Sequence, residues 1–326
     1  MVKNLVIKVV QFIVAMFILS IMVFYMSRLA PGNPLRAYYG DGIERMSTEE
    51  KAAATARLGL DEPIIKQYKL WLQSALEGDF GKSFKYKEDV TQIIGETYAN
   101  TLILGGIGFV ITFVLALKLG IYCALHEDSF VDRFIFKIGT VTNSIPPFWI
   151  SLLLILIFSI NLRWLPSSGA YAVGEYYNPL SRITHLILPM SVLITSHLWY
   201  YAYIMRNKII DESKKYYVLI SKAKGLSRKE VVYKHCLKNA MPVYISLMAV
   251  SVPHLLGGTY VIETVFSYQG IGRLCFESAK YHDYNMLMIL TLITGAVVIF
   301  SSMLANYINT LIDPRMKMGG GEDIWS

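Results

Sequence analysis

The sequence predicts an all-α membrane protein with six transmembrane helices and a small extracytoplasmic insertion after the first. Three observations carry this fold class. Of the 326 residues, 54% are hydrophobic and only 17% charged, with a mean hydropathy of +0.43, which is too apolar for an ordinary soluble domain. The apolar residues fall into six runs, each of about 20 residues or more, the length a helix needs to cross the hydrocarbon core. The basic residues gather between the fourth and fifth runs, as they do in cytoplasmic loops.

The first run, Leu5 to Met26, has the length of a retained span, and no A-x-A cleavage pattern follows it. Residues 1–26 are therefore the N-terminal transmembrane helix. Residues 27–101 mix acids and bases nearly evenly, as a small folded insertion outside the membrane would, and are too long for the charge rule to bind them. The remaining spans are Leu102 to Leu125, Phe136 to Ile160, His185 to Met205, Met241 to Ile262 and Met286 to Ile312, a five-helix core over 102–312. An even count puts both termini on one side. Pro146 and Pro147 lie early in the third span, and Gly257 and Gly258 late in the fifth, where they can bend a helix or bring backbones together. They are candidate gate positions, with plain packing as the alternative.

The loop over 206–240 carries ten Lys or Arg against Asp211, Glu212 and Glu230. The positive-inside rule makes it cytoplasmic. Lys3, Lys8, Arg315 and Lys317, the last two in the tail over 313–326, then lie on the same side. The net charge of +7 is accounted for by such loops and by anionic headgroups, so no nucleic-acid partner is implied.

Within this loop, "ISKAKGLSRKEVVYKH" (Ile220 to His235) reads as helix, turn, helix. Gly225 follows Lys222, Ala223 and Lys224, a C-terminal stop with cations at the negative end of the dipole. Ser227 opens S-x-x-E with Glu230, a capping box, and Leu226 with Val231 supplies the hydrophobic staple. One helix ends near Lys224 and the next begins near Arg228, running through His235 toward Pro242 and the fifth span. A partner outside the membrane could push on the pore through such a turn. Equally, the segment could rest on anionic lipid, each cation contributing about 1 kcal/mol.

The longer stretch "YVLISKAKGLSRKEVVYKHCLKNAMP" resembles the EAA-type loop of ABC importer permeases of the dipeptide, oligopeptide and nickel group. Tyr217, Val218, Lys222, Ala223, Lys224, Gly225, Leu226 and His235 match that pattern, whereas Leu219, Ile220 and Ser221 stand where Arg, Thr and Ala are usual. "RLGLDEPIIKQYKLWLQSALEGDFGKSF", "SIPPFWISLLLILIFSINLRWLPSSG" and "LLGGTYVIETVFSYQGIGRL" are similar to further segments of the group's first permease subunit, in the same order. The resemblance implies a type I ABC importer permease-like fold in a prokaryotic inner membrane. It also implies a second homologous permease, two cytoplasmic ATPase subunits that use ATP and Mg, and an extracytoplasmic solute-binding protein. In that reading the turn from Ala223 to Ser227 docks on an ATPase, and peptide is the first expectation for cargo, with nickel or a metal chelate second.

No catalytic residue is expected. H-E-x-x-H and G-x-S-x-G are absent, and "GKS" at Gly81 to Ser83 lacks the first glycine of a phosphate loop, since position 76 is Leu76. Cys123, Cys236 and Cys275 show no metal spacing. Ionisable groups inside spans are functional candidates by default. These are Lys118, near enough to its helix end to snorkel, then His197, His254 and, at a span edge, Glu263. Either histidine could take a proton or a metal, or bond a neighbouring helix. An ATP-independent secondary transporter or channel is the alternative function, although paired mid-span acids and clear inverted repeats, usual in such carriers, are not evident.

Overall fold

The computed structural model describes residues 2–29, 34–57 and 59–312; side chains of 2–5, 34, 37, 41 and 253–258 lie outside the description. Among the described residues there are helices and a single isolated bridge between Lys82 and Asp89. The helices are α1 (Val2–Leu29), α2 (Pro34–Tyr39), α3 (Thr48–Arg57), α4 (Ile64–Leu76), α5 (Val90–Thr101), α6 (Gly108–Leu125), α7 (Phe130–Ser144) and α8 (Pro147–Leu154). They continue with α9 (Pro179–Ser213), α10 (Tyr216–Ala223), α11 (Arg228–Val231), α12 (Leu237–Val265), α13 (Ile271–Lys280) and α14 (Tyr284–Ile312). They form two compact units, Met1–Thr101 with Gln269–Ile299, and Leu102–Tyr268 with Phe300–Ser326.

Four continuous helical stretches are long and apolar enough to cross a bilayer: Val6–Leu29, Val90–Leu125, Pro179–Ser213 and Tyr284–Ile312. The second starts within the expected insertion, because α5 runs into α6 through a wide π-helical turn at Leu102–Ile107. The expected third span is not one straight helix. α7 and the stretch Pro147–Asn161 meet at 99°, and the chemistry of the break is local. Ile145 precedes a proline and is pushed to extended backbone (φ −95°, ψ 122°), Pro146 follows at ψ 139°, and Pro147 starts α8 where a missing N–H is harmless. α12, by contrast, is helical through Gly257 and Gly258.

In the first unit, α4 is held to α1 by aromatic packing and one buried hydrogen bond. Tyr68 and Ser20 share a bond of 2.8 Å, and Tyr68 meets Phe24 edge-on at 5.3 Å. The segment 81–89 is stapled to the stretch around α13. Ser83 donates to Asp283, Lys85 pairs with Glu277, Tyr86 donates to Glu277 at 2.8 Å, and Arg273 does so at 2.9 Å. Burial alone would raise the Glu277 pKa. The donors Lys85, Arg273 and Tyr86 outweigh it and hold the carboxyl at about 2.

In the second unit α9 is the central post. Asn178 caps its start, accepting from Leu180 and Ser181, and Pro179 occupies the first turn. α6 approaches α9 so closely at Gly120 that a Cβ there would sit 2.9 Å from the Ala202 carbonyl and 2.9 Å from Met205 Cβ. Phe113 stacks on Tyr201 at 4.5 Å, and Tyr244 of α12 donates to the Phe113 carbonyl at 2.6 Å. α7 is joined to α9 by the Asp132–Arg206 ion pair, with Arg206 Nε 2.6 Å from Asp132 Oδ1.

Candidate functional site

The basic loop over 206–240 is helical almost throughout. α9 extends beyond Arg206 to Ser213, α10 follows, and α11 passes through a wide turn at Val232–Cys236 directly into α12. The turn between α10 and α11 has the chemistry expected of its residues. Gly225 adopts φ +81°, a conformation that costs a residue with a Cβ roughly 1–2 kcal/mol, and its amide bonds the Lys222 carbonyl at 2.9 Å. Ser227 and Glu230 close the capping box in both directions. The Glu230 amide donates to Ser227 Oγ at 3.3 Å, and the Ser227 amide donates to Glu230 Oε2 at 3.0 Å. Those bonds from Ser227, with Lys234 nearby, lower the Glu230 pKa.

Lys222, Ala223, Lys224, Gly225, Ser227 and Glu230 are exposed, and Leu226 and His235 are half-buried. Of the three departures from the resembled pattern, Leu219 and Ile220 are 58% and 59% exposed, whereas Ser221 is buried. The turn thus presents a free surface with apolar flanks. Its underside is anchored twice. Arg228 donates to the Ala124 carbonyl at the end of α6 at 2.9 Å and lies 3.5 Å from Glu127. Glu212, 2% exposed, accepts from Tyr217 at 2.9 Å and pairs with Lys215 at 2.8 Å and Lys208 at 3.2 Å.

In the sequence Glu212 is one of three acids in a basic loop. The spacing Lys208, Glu212, Lys215 puts three charges on one helical face and was the available signal. Tyr217 and His235, both in the matched pattern, are brought together with ring centroids 6.5 Å apart. Burial pushes the Tyr217 phenol up, opposed by a hydrogen bond with Asn239 and assisted more weakly by the bond to Glu212.

The other candidates are spread over the second unit. Pro146 is exposed and Pro147 half-buried at the α7–α8 break. His197 is half-buried on α9, its Nδ1 3.0 Å from the Leu193 carbonyl and its ring stacked on Tyr201 at 6.2 Å. Glu263 is fully buried near the end of α12, and its carbonyl accepts from the Tyr268 amide at 2.7 Å. His254, Gly257 and Gly258 have helical backbone, with side chains outside the described residues. Among the described residues no three His, Cys, Asp or Glu side chains are grouped to hold a metal ion.

Comparison with known proteins places this geometry. Residues 116–318 match the family described as binding-protein-dependent transport system inner membrane component, and residues 1–105 match its N-terminal region. The chain is 30% identical to the oligopeptide transport system permease protein AppB of Bacillus subtilis over 92% of this chain and 94% of that one. It is 33% identical to a putative peptide permease protein of Brucella suis, with the same coverages. It is also 30% identical to the metal-staphylopine import system permease protein CntB of Staphylococcus aureus, covering 93% and 94%. Two inward-facing crystal forms of the MetNI methionine ABC transporter contain chains of similar fold, with TM-scores of 0.51 and 0.54 at 15% and 16% identity, covering 69% and 68% of this chain and 97% and 96% of those. Coverage from end to end, together with the two matched regions, assigns this chain to the binding-protein-dependent transport system inner membrane components.

Proposed function

We propose that the chain is one of two permeases in an ATP-driven importer, forming half of the translocation pathway. It crosses the prokaryotic inner membrane six times, counting α7–α8 and α12 as spans, with both termini in the cytoplasm. Residues 27–101 lie on the outer side. The second permease, two ATPases and an external binding protein complete the assembly. The chain binds no nucleotide; ATP and Mg belong to the ATPases.

The observation that carries this reading is the exposed, doubly capped turn at Lys222–Ser227, fixed by short helices to both α9 and α12 and tied to α6 through Arg228. A force on that surface reaches three membrane helices through hydrogen bonds and continuous backbone. Alternating access requires the spans to move together when the ATPases close, and coupling of this kind needs a discrete element that both partners bias. Cargo is peptide in first place, following the names of the similar permeases, with metal chelates second.

The test is isolation of the tagged chain from solubilised native membranes, with mass spectrometry of what accompanies it. A homologous permease and two ATPase copies per pair are expected. A chain that emerges alone, and transports alone, overturns the assignment in favour of a carrier.

A further inference from the structure

In the first unit, α4 meets α1 well inside the end of that span. Ser20 Oγ donates to the Phe17 carbonyl at 2.7 Å, so in its 2.8 Å bond with Tyr68 the phenol is the donor and Ser20 accepts. Around this bond Tyr68 meets the rings of Phe17 at 6.5 Å and Phe24 at 5.3 Å, and Trp71 meets Phe24 at 6.1 Å. α1 is long and apolar enough to span the bilayer over Val6–Leu29. Counted inward from Leu29 at 1.5 Å per residue, Phe24 lies about 8 Å and Ser20 about 13 Å deep. α14 gives the same level independently. Arg28 stands over the ring of Tyr284, the first residue of α14, at 5.7 Å, and Met288, one turn further in, is buried in one cluster with Phe24 and Tyr68. Half of a hydrocarbon core is about 15 Å. The contact between α4 and α1 is therefore at the depth of lipid tails.

The sequence of α4 suits that place. Tyr68 and Trp71 form the flank against α1. At 3.6 residues per turn Ile65, Leu72 and Leu76 share a second flank, with Gln67 and Ser74 on the side opposite to it. Ile65 is 63% and Leu76 81% exposed, and Lys66 and Lys69 are exposed beside them. Acids stand at both ends of the helix, Asp61 and Glu62 before it and Glu77 and Asp79 after it. Standing upright at this depth, α4 would carry one pair of acids toward the middle of the bilayer, which is costly. Lying flat, it keeps both pairs near the boundary.

We propose that α4 is an interfacial helix seated in the leaflet at the Leu29 end of α1, with Ile65, Leu72 and Leu76 among acyl chains and Lys66 and Lys69 reaching back to the headgroups. The partner on this face is lipid. Lysine is depleted from the cores of protein interfaces, whereas lysines beside an apolar flank belong at a headgroup boundary. Only the spanning of α1 and α14 is required, and nothing of the importer reading. Part of the stretch over 27–101 thus moves from water into the bilayer, and lipid becomes a structural ligand of the insertion.

Spin-label accessibility tests this in the full chain, reconstituted with whatever subunits accompany it into vesicles of phosphatidylethanolamine and phosphatidylglycerol. Cys123, Cys236 and Cys275 are unpaired and are replaced by Ala. A nitroxide is then placed through Ile65→Cys, Leu76→Cys or Ser74→Cys, with Glu49→Cys on α3 as the aqueous standard. Its collisions with oxygen, which concentrates among acyl chains, are compared with its collisions with a neutral, water-soluble nickel chelate. The ratio of oxygen to nickel collisions is expected to exceed unity at Ile65→Cys and Leu76→Cys, and to fall toward the Glu49→Cys value at Ser74→Cys. Nickel collisions in excess at Ile65→Cys and Leu76→Cys would place α4 in water and overturn the proposal. Exclusion of both quenchers with an immobilised spectrum would mean that another chain covers the face, and overturns it equally. The same ratio at Ser74→Cys as at Leu76→Cys would rule out a helix lying in the boundary.

Discussion

Gly225 offers a clean separation of backbone from sterics. No atom lies within 4 Å of the position a Cβ would take, and the backbone has φ +81°. Gly225→Ala therefore costs only the left-handed conformation, roughly 1–2 kcal/mol confined to the turn, whereas Gly225→Pro cannot adopt the observed φ at all. The expected outcome is graded: both variants insert at wild-type levels, Ala retains most uptake, and with Pro the proposed partner ATPases hydrolyse ATP without transport. Wild-type uptake by Gly225→Pro would remove the turn from the coupling path. Glu212 is the second critical residue. Glu212→Gln keeps an acceptor for Tyr217 and loses the charge facing Lys208 and Lys215. Charge-assisted bonds of this kind are worth about 1.5–3 kcal/mol, so a fall in the thermal midpoint of the purified complex is expected, and an unchanged midpoint would show that the two lysines are equally content in water.

Among the elements, the staple between 81–89 and α13 has a pH dependence whose sign follows from Glu277. Its carboxyl is held at about 2 in the folded protein, against about 4.3 for an unperturbed glutamate. A depressed folded pKa contributes stability that is complete above the unfolded value and is lost as pH falls from about 4.3 toward 2. Protection of the amides of 82–90, taken relative to their intrinsic exchange at each pH, is expected to fall over that interval, and Glu277→Gln to flatten the response; an identical profile in the variant would exclude this carboxylate as the cause. The elements also show where sequence reading succeeds. Ser227, Glu230 and Gly225 are local signals, and the capping box and turn follow from them. Pro146 and Pro147 announce a breaker, but the 99° angle depends on what α7 and α8 pack against. The polar face of α5, with Gln92 and Glu96, hid a helix that continues into the second span. Pairs such as Asp132–Arg206 and Lys85–Glu277, distant in sequence, leave no periodic trace.

For the molecule as a whole, membrane residence and family follow from composition and ordered motifs, because apolar length and the positive-inside bias are properties of the chain read in one dimension. Partner number and cargo are not of that kind. They depend on surfaces that other chains complete, which is why the isolation experiment, with its expected permease pair and two ATPases, weighs more than any residue in the pore. The spread of names among similar permeases, from oligopeptide to metal-staphylopine, fits a pathway that handles several chemistries on one scaffold.

The near-touches of α6 and α9 make the two helices one mechanical piece. Gly120 meets Ala202 and Met205, and Gly108, twelve residues away on α6, meets Leu193, where an added Cβ would come within 2.5 Å of Cδ2. At 1.5 Å per residue the two closures are about 18 Å apart, with the Phe113–Tyr201 stack between them. Helices pinned at both ends and in the middle cannot scissor, so a displacement that Arg228 passes to α6 at Ala124 is carried by α6 and α9 together.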